Sequence, residues 1–111
     1  MKITFKDNKL QKTANNSRRL QKEYGPIMAK KISQRLQDLF NCQTLEDSRN
    51  LPGRFHELVG DRKGQWACDL QHPKRLIFKP HESPIPENED GQYLWSEIKG
   101  IEIIEITDYH Q

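Results

Sequence analysis

The first apolar positions of the chain, Ile3 and Phe5, alternate with polar residues, which predicts a short strand. Asp7 or Asn8 can cap a helix running to about Tyr24, with a thin apolar stripe of Leu10, Ala14, Leu20 and Tyr24. Gly25-Pro26 breaks the chain and starts a second helix. There Met28, Ile32, Leu36, Leu39 and Phe40 fall on one face of a 3.6-residue period, while Lys30, Lys31, Arg35 and Asp38 occupy the rest and read as a solvated surface. Thr44-Leu45-Glu46-Asp47 resembles a capping box opening a single helical turn.

After Leu51-Pro52-Gly53 the period changes to two. Arg54–Val59 is an expected strand, and Gly60-Asp61-Arg62-Lys63-Gly64 a hairpin loop. Trp66, Cys68 and Leu70 share one face of the next strand, where Trp66 and Cys68 suit the core. His72-Pro73 turns the chain into Arg75–Lys79, with Leu76 and Phe78 opposite Arg75, Ile77 and Lys79. The last strand is expected over Ile101–Asp108, with Ile104 and Ile106 inward. Residues 80–100 form a long connection, rich in proline and acid, which Trp95 and Ile98 are expected to tuck back as a short helical turn. The order β-α-α-β-β-β-β predicts an α+β fold, a helical hairpin on a twisted, mainly antiparallel sheet with one open face, in a single domain spanning residues 1–111.

Composition adds little to the fold but shapes the function. Mean hydropathy is -0.97, so the core is small. The 111 residues carry a net charge of only +2. That figure hides a gradient: the balance is +7 over residues 1–40, +2 over 41–80 and -7 over 81–111. Such asymmetry is a hint of nucleic-acid contact. No stretch approaches the roughly 20 apolar residues of a membrane span, so no membrane association is expected. The first residues hold no apolar signal region, and the two cysteines, Cys42 and Cys68, form no C-x-x-C; a reduced cytoplasmic protein is the expectation.

The sequence lacks the Walker, dinucleotide-binding, zincin and nucleophile-elbow motifs. What remains is a set of polar residues at strand ends. His56 sits mid-strand, Asp108, Tyr109 and His110 follow the last strand, and Arg54, Arg62, Lys63, Lys74 and Arg75 lie in or beside the central strands. RNA cleavage by general acid/base catalysis needs a base for a ribose 2′-hydroxyl, an acid for the departing 5′-oxygen, and cations for the added negative charge. Histidine suits either proton role near neutral pH. The same residues also fit plainer roles. His56 can be a hydrogen-bonded strand residue, Asp108-Tyr109-His110 an ordinary polar terminus, and nothing in the spacing of His56, Asp108 and His110 demands a metal.

The run Leu51-Pro52-Gly53-Arg54-Phe55-His56-Glu57-Leu58-Val59-Gly60-Asp61-Arg62-Lys63-Gly64-Gln65-Trp66, then Arg75-Leu76-Ile77-Phe78 and Asp108-Tyr109-His110, resembles the HigB branch of the RelE/ParE toxin superfamily. The family pattern is His-x-Leu-Lys-Gly-Asp-x-x-Gly-x-Trp, a later Arg-x-x-Phe, and a terminal Asp-Tyr-His. The resemblance is close over residues 51–79 and 101–110, and one of arrangement only over 1–40.

It implies a toxin of a type II toxin–antitoxin module that enters the 70S ribosome and cuts translated mRNA without a metal or other cofactor. It also implies a HigA-like helix-turn-helix antitoxin, through which alone the toxin would reach operator DNA. By position His56, Asp108, Tyr109, His110 and Arg75 match the family's catalytic group. His56 or Asp108 would be the base, His110 or Tyr109 the acid or orienting group, and Arg75 the charge stabiliser. Arg54, Arg62, Lys63 and Lys74 would contact RNA phosphates.

Three departures stand out. Val59 replaces a lysine, with Lys63 placed to compensate. Lys74 replaces an aromatic. The connection at 80–100 is long, and is expected to fold away from the site, held by Trp95, and to contribute partner contacts. The alternatives are a non-catalytic ParE-like toxin that inhibits a protein such as DNA gyrase, a degenerate toxin retained for regulation, or a nucleic-acid-binding regulator.

Overall fold

The structure is a computed structural model, and it describes residues 1–108. Strand β1 (Lys2–Phe5) leads into three helices, α1 (Asn8–Ala14), α2 (Ser17–Tyr24) and α3 (Pro26–Asn41). A 3-10 turn over Glu46–Asn50 precedes β2 (His56–Glu57), β3 (Trp66–Asp69), β4 (Arg75–Pro80) and β5 (Gly100–Thr107). The strands form one mixed sheet in the order β1-β5-β4-β3-β2, with β1 parallel to β5 and the other pairs antiparallel. The expected α+β architecture is therefore the observed one.

The helix expected from Asp7 to Tyr24 is two helices. Asp7 caps the first by accepting from Lys9 N at 2.7 Å, and Asn16 caps the second by accepting from Arg19 N at 3.1 Å. An asparagine side chain that bonds its own downstream backbone competes with helix continuation, so the chain restarts at Asn16. The helix after Gly25-Pro26 forms as expected and buries Met28, Ile32 and Leu39, but Phe40 is exposed. Arg35 departs from the expected solvated surface: it is buried, for a reason given below.

The core lies between the helices and one face of the sheet. It holds Leu20, Ile32, Leu39, Trp66, Cys68, Leu76, Phe78, Ile101 and Ile103. The alternation of β3 and β4 is as expected, but that of β5 is not. Phe78 pairs with Ile103 while Ile77 pairs with Glu105, so Ile104 is an extra residue in β5. This bulge puts Ile103 and Ile106 on the core face and Ile104 on the other, which corrects the expectation that Ile104 points inward. The strand expected over Arg54–Val59 is shorter too, because Arg54 adopts φ 51° and only His56–Glu57 pairs as a ladder.

The long connection returns to the core by the expected route. A 3-10 turn over Trp95–Glu97 buries Trp95 and Ile98. Trp95 meets Trp66 edge-on with centroids 5.4 Å apart, and its Nε1 donates to Glu57 at 3.1 Å. Trp66 and Glu57 are register partners on the helix-covered face, so the connection extends that layer. Among the described residues no helix is long and apolar enough to cross a membrane.

Candidate functional site

The opposite face of the sheet carries the candidate site residues. Register partners share a face, so His56, Ala67, Ile77 and Glu105 form one row across β2, β3, β4 and β5. Asp69, Arg75 and Thr107 form the next row. Leu58, Ala67 and Ile77 are buried together with Ile104 packed against them, which gives this face a small apolar floor.

His56 is fixed by the turn before it. Its Nδ1 lies 2.6 Å from the Arg54 carbonyl oxygen. A carbonyl only accepts, so Nδ1 carries the hydrogen, and the neutral ring keeps its lone pair on Nε2. That is the tautomer a proton acceptor at Nε2 requires.

Asp69 gathers two of the arginines. Arg54 donates from Nε at 2.9 Å and from Nη2 at 3.4 Å to the two oxygens of its carboxylate. Arg75 Nη1 sits 3.4 Å from the same carboxylate. Partial burial works against ionisation of Asp69, but the Arg54 hydrogen bond and the charges of Arg54 and Arg75 outweigh it and hold its pKa below the ordinary carboxylate value. The same hydrogen bond raises the pKa of Arg54 and keeps the guanidinium firmly charged.

Arg35 braces this corner from the core side. Its Nε donates to the Asp69 carbonyl at 2.8 Å and its Nη1 to the Pro52 carbonyl at 3.2 Å. Asp69 N in turn donates to the Gly53 carbonyl at 2.7 Å. A buried guanidinium is tolerated when backbone oxygens satisfy it. Gly53 is required here twice over: its φ is +112°, and a Cβ would meet the Arg35 guanidinium carbon at 2.6 Å.

The structure brings His56, Arg54 and Arg75 to one end of the open face, while Lys74, one residue out of phase with Arg75, lies toward Tyr24 of α2. Lys74 Nζ bonds Asp108 at 2.8 Å, which places the end of β5 beside Arg75. Arg62 lies on the same face further along, bonded to Gln65 at 3.0 Å and Glu105 at 3.2 Å. Lys63 does not join them. It turns to the long connection, with Nζ 5.6 Å from the Tyr93 ring centroid. Tyr109 and His110 lie outside the described residues. Trp66 is wholly buried, with Arg49 stacked on its ring at 4.7 Å, which fits its expected core role.

Sequence reasoning missed Asp69 and Arg35. A signal for Asp69 was present, since it stands out of phase with Trp66 and Cys68 on β3 and therefore shares a face with His56. Nothing local marks Arg35, whose acceptors lie 17 and 34 residues away.

No family model matches this chain, and no curated protein matches it either. Solved structures do share its whole architecture. A YoeB-YefM complex from Staphylococcus aureus matches with a TM-score of 0.59 at 16% identity, covering 100% of this chain and 98% of that one. A YoeB/ParE toxin from Agrobacterium tumefaciens matches with a TM-score of 0.61 at 14% identity, covering 99% of this chain and 100% of that one. The fold is the one these YoeB and YoeB/ParE toxin structures share. At these identities it is the fold that is shared, and the open face has to be judged on its own residues.

Proposed function

We propose that this chain is the toxin of a type II toxin–antitoxin module, of the HigB kind, and that it cleaves mRNA on the ribosome from the open face of its sheet. The observation that carries the reading is convergence. His56, Arg75 and Asp108 are far apart in sequence, and each belongs to a different part of the HigB-like pattern. They lie on β2, on β4 and just past β5: His56 and Arg75 share the open face beside the Arg54–Asp69 pair, and Asp108 follows Thr107, the register partner of Arg75, where it bonds Lys74.

The proposed chemistry gives each residue the role that the resemblance implies. His56 Nε2, or the Asp108 carboxylate, takes the proton of a ribose 2′-hydroxyl. The 2′-oxygen bonds to the adjacent phosphorus while the bond to the 5′-oxygen breaks. His110 or Tyr109 returns a proton to that 5′-oxygen, so the products are a 2′,3′-cyclic phosphate and a 5′-hydroxyl. Arg75 stabilises the charge gathered on the phosphoryl oxygens, and Arg54, Arg62 and Lys74 hold neighbouring phosphates. Lys63, turned to Tyr93, is the most distant of these contacts. The partner would be a HigA-like helix-turn-helix antitoxin; the staphylococcal neighbour is itself a YoeB-YefM complex. The place of action would be the cytoplasm.

Induced expression of the wild type, His56→Ala and His110→Ala, followed by growth and by primer extension on a reporter mRNA, tests the reading. Growth arrest with codon-phased cuts, lost in either variant, is the expected result. Arrest without cuts would move the assignment to a ParE-like toxin acting on a protein such as DNA gyrase. No arrest would leave a degenerate toxin kept for regulation.

A further inference from the structure

We propose that Asp69 is a positioning residue: it holds Arg54 and Arg75 side by side as a preformed seat for one RNA backbone phosphate next to His56. The inference rests on the reading above and adds a residue that neither the HigB-like pattern nor the expected cation set contains.

The geometry singles out this carboxylate. Arg54 comes from the turn before β2 and Arg75 from the start of β4; the backbone sets both beside Asp69, and the carboxylate ties their guanidinium groups together. The Asp69 carboxylate meets both, Arg54 by two contacts of 2.9 and 3.4 Å and Arg75 by one of 3.4 Å. The carboxylate is itself aimed by its main chain, which is pinned through Asp69 N to Gly53 and through Asp69 O to the buried Arg35. The Arg54 side chain remains 62% exposed while making both bonds, so its outer edge still faces solvent. A guanidinium has five donors in a fixed fork, and a carboxylate on one edge leaves the other for a phosphate. Arg54 also supplies the carbonyl that sets the His56 tautomer. One short turn thus aims a cation and a proton acceptor together.

A simpler role for Asp69 makes the opposite prediction. If it were only a negative charge near a phosphate site, removing it would strengthen RNA binding. As a positioning residue its removal weakens binding, because the arginines lose their shared geometry. The first measurement uses the full chain and a single-stranded RNA carrying 2′-deoxy sugars, which binds without being cut. For Asp69→Ala we expect weaker binding, with the slope of log affinity against log salt reduced by about one phosphate's worth, ~0.7. Asp69→Asn, which keeps an acceptor for Arg54 Nε, should lie between Ala and wild type.

The second measurement is a double-mutant cycle. The Asp69→Ala effect should vanish in an Arg54→Ala, Arg75→Ala background, whereas a general charge effect would persist there. The third is mRNA cleavage in a translating extract, where misplaced arginines should lower kcat by about 100-fold with a smaller change in KM. Thermal unfolding of each variant separates loss of fold from loss of positioning. Unchanged or tighter RNA binding in folded Asp69→Ala, or an effect that survives in the arginine-free background, overturns the proposal. A wild type that binds RNA in the expected Asp69-dependent way but cuts no mRNA would sink the nuclease reading and leave the seat standing.

Discussion

Strand β3 sends Trp66 and Cys68 to one face of the sheet and Ala67 and Asp69 to the other, and the two faces could hardly be built more differently. On the helix side Trp66, Phe78, Leu76 and Ile103 are all at most 1% exposed, and the long acidic connection extends the layer with Trp95 and Ile98. On the open side the apolar set shrinks to Leu58, Ala67, Ile77 and Ile104, and charged side chains surround it. Small and medium apolar residues there give a dry floor without filling the space above it. On the proposed function, the difference keeps stability and chemistry apart. Large residues on one face fix the strands, and the register then delivers His56, Asp69 and Arg75 to the other.

The sharpest way to break this division is Trp66→Ala. It removes a wholly buried indole that packs on Phe78 and Trp95 and carries the Arg49 guanidinium on its ring. A loss of about 3–5 kcal/mol is expected, seen as a lower midpoint in chemical denaturation. His56→Ala on the open face should by contrast shift stability by no more than about 0.5 kcal/mol. If the two variants were equally destabilised, the contrast between the faces would be wrong.

Gly53→Ala should come next in size, because it attacks the brace between the faces. The new methyl would stand 2.6 Å from the Arg35 guanidinium carbon, at a φ of +112° that side chains rarely adopt. Relief requires Arg35 to move, and with it the hydrogen bonds to the Pro52 and Asp69 carbonyls. About 1–3 kcal/mol of destabilisation is expected. Thermal unfolding should show it, and RNA binding should fall beyond what the lost stability explains, since Arg54 follows Gly53 directly.

Much of this was legible from periodicity. The strand over Ile3 and Phe5, the helix from Pro26, the alternation of Trp66, Cys68, Leu76 and Phe78, and the fold-back of Trp95 are all short-range patterns that local spacing records. What was not legible depends on distance or on an interruption. The β5 bulge adds one residue, so counting by two from Ile106 puts Ile104 on the wrong face. Arg35 looks like any solvated helical arginine until a turn brings two carbonyl oxygens to it. His56 and Arg75 could be named from their motif, but the carboxylate between the arginines could not, because Arg54 and Asp69 meet only through the β2–β3 pairing.

A smaller effect concerns acid. The Asp69 pKa is held below its ordinary value, mainly by Arg54 once the opposing effect of burial is overcome. A carboxyl group that is more acidic when folded than when unfolded adds stability above its unfolded pKa, and loses it as the pH falls through its lower folded value. Asp69→Asn should therefore cost little near neutrality, within about 1 kcal/mol for so exposed a pair, and the variant and wild type should converge in denaturation curves as the pH falls through the lowered folded value. A gap that widened on acidification would mean that the Arg54–Asp69 pair does not act as an ion pair.

The smallest expected effect tests the separation of the faces electrostatically. Glu89 and Asp90 are exposed in the long connection, in a segment whose return to the core is through Trp95 on the helix-covered side. Seen only as sequence, this acidic stretch should repel RNA. In the fold the sheet lies between its anchor and His56, and at physiological salt charges separated by more than about 8 Å are largely screened. Glu89→Gln with Asp90→Asn should consequently change RNA affinity by less than about twofold at 0.15 M salt, and somewhat more at low salt, where screening is weak. Neutralising Lys74, which sits beside Arg75 and bonds Asp108, should by comparison weaken binding clearly at the same salt. If removing the two acids strengthened binding as much as removing Lys74 weakened it, the connection would have to reach round to the open face, and the acidic end of the chain would be a gate on the site.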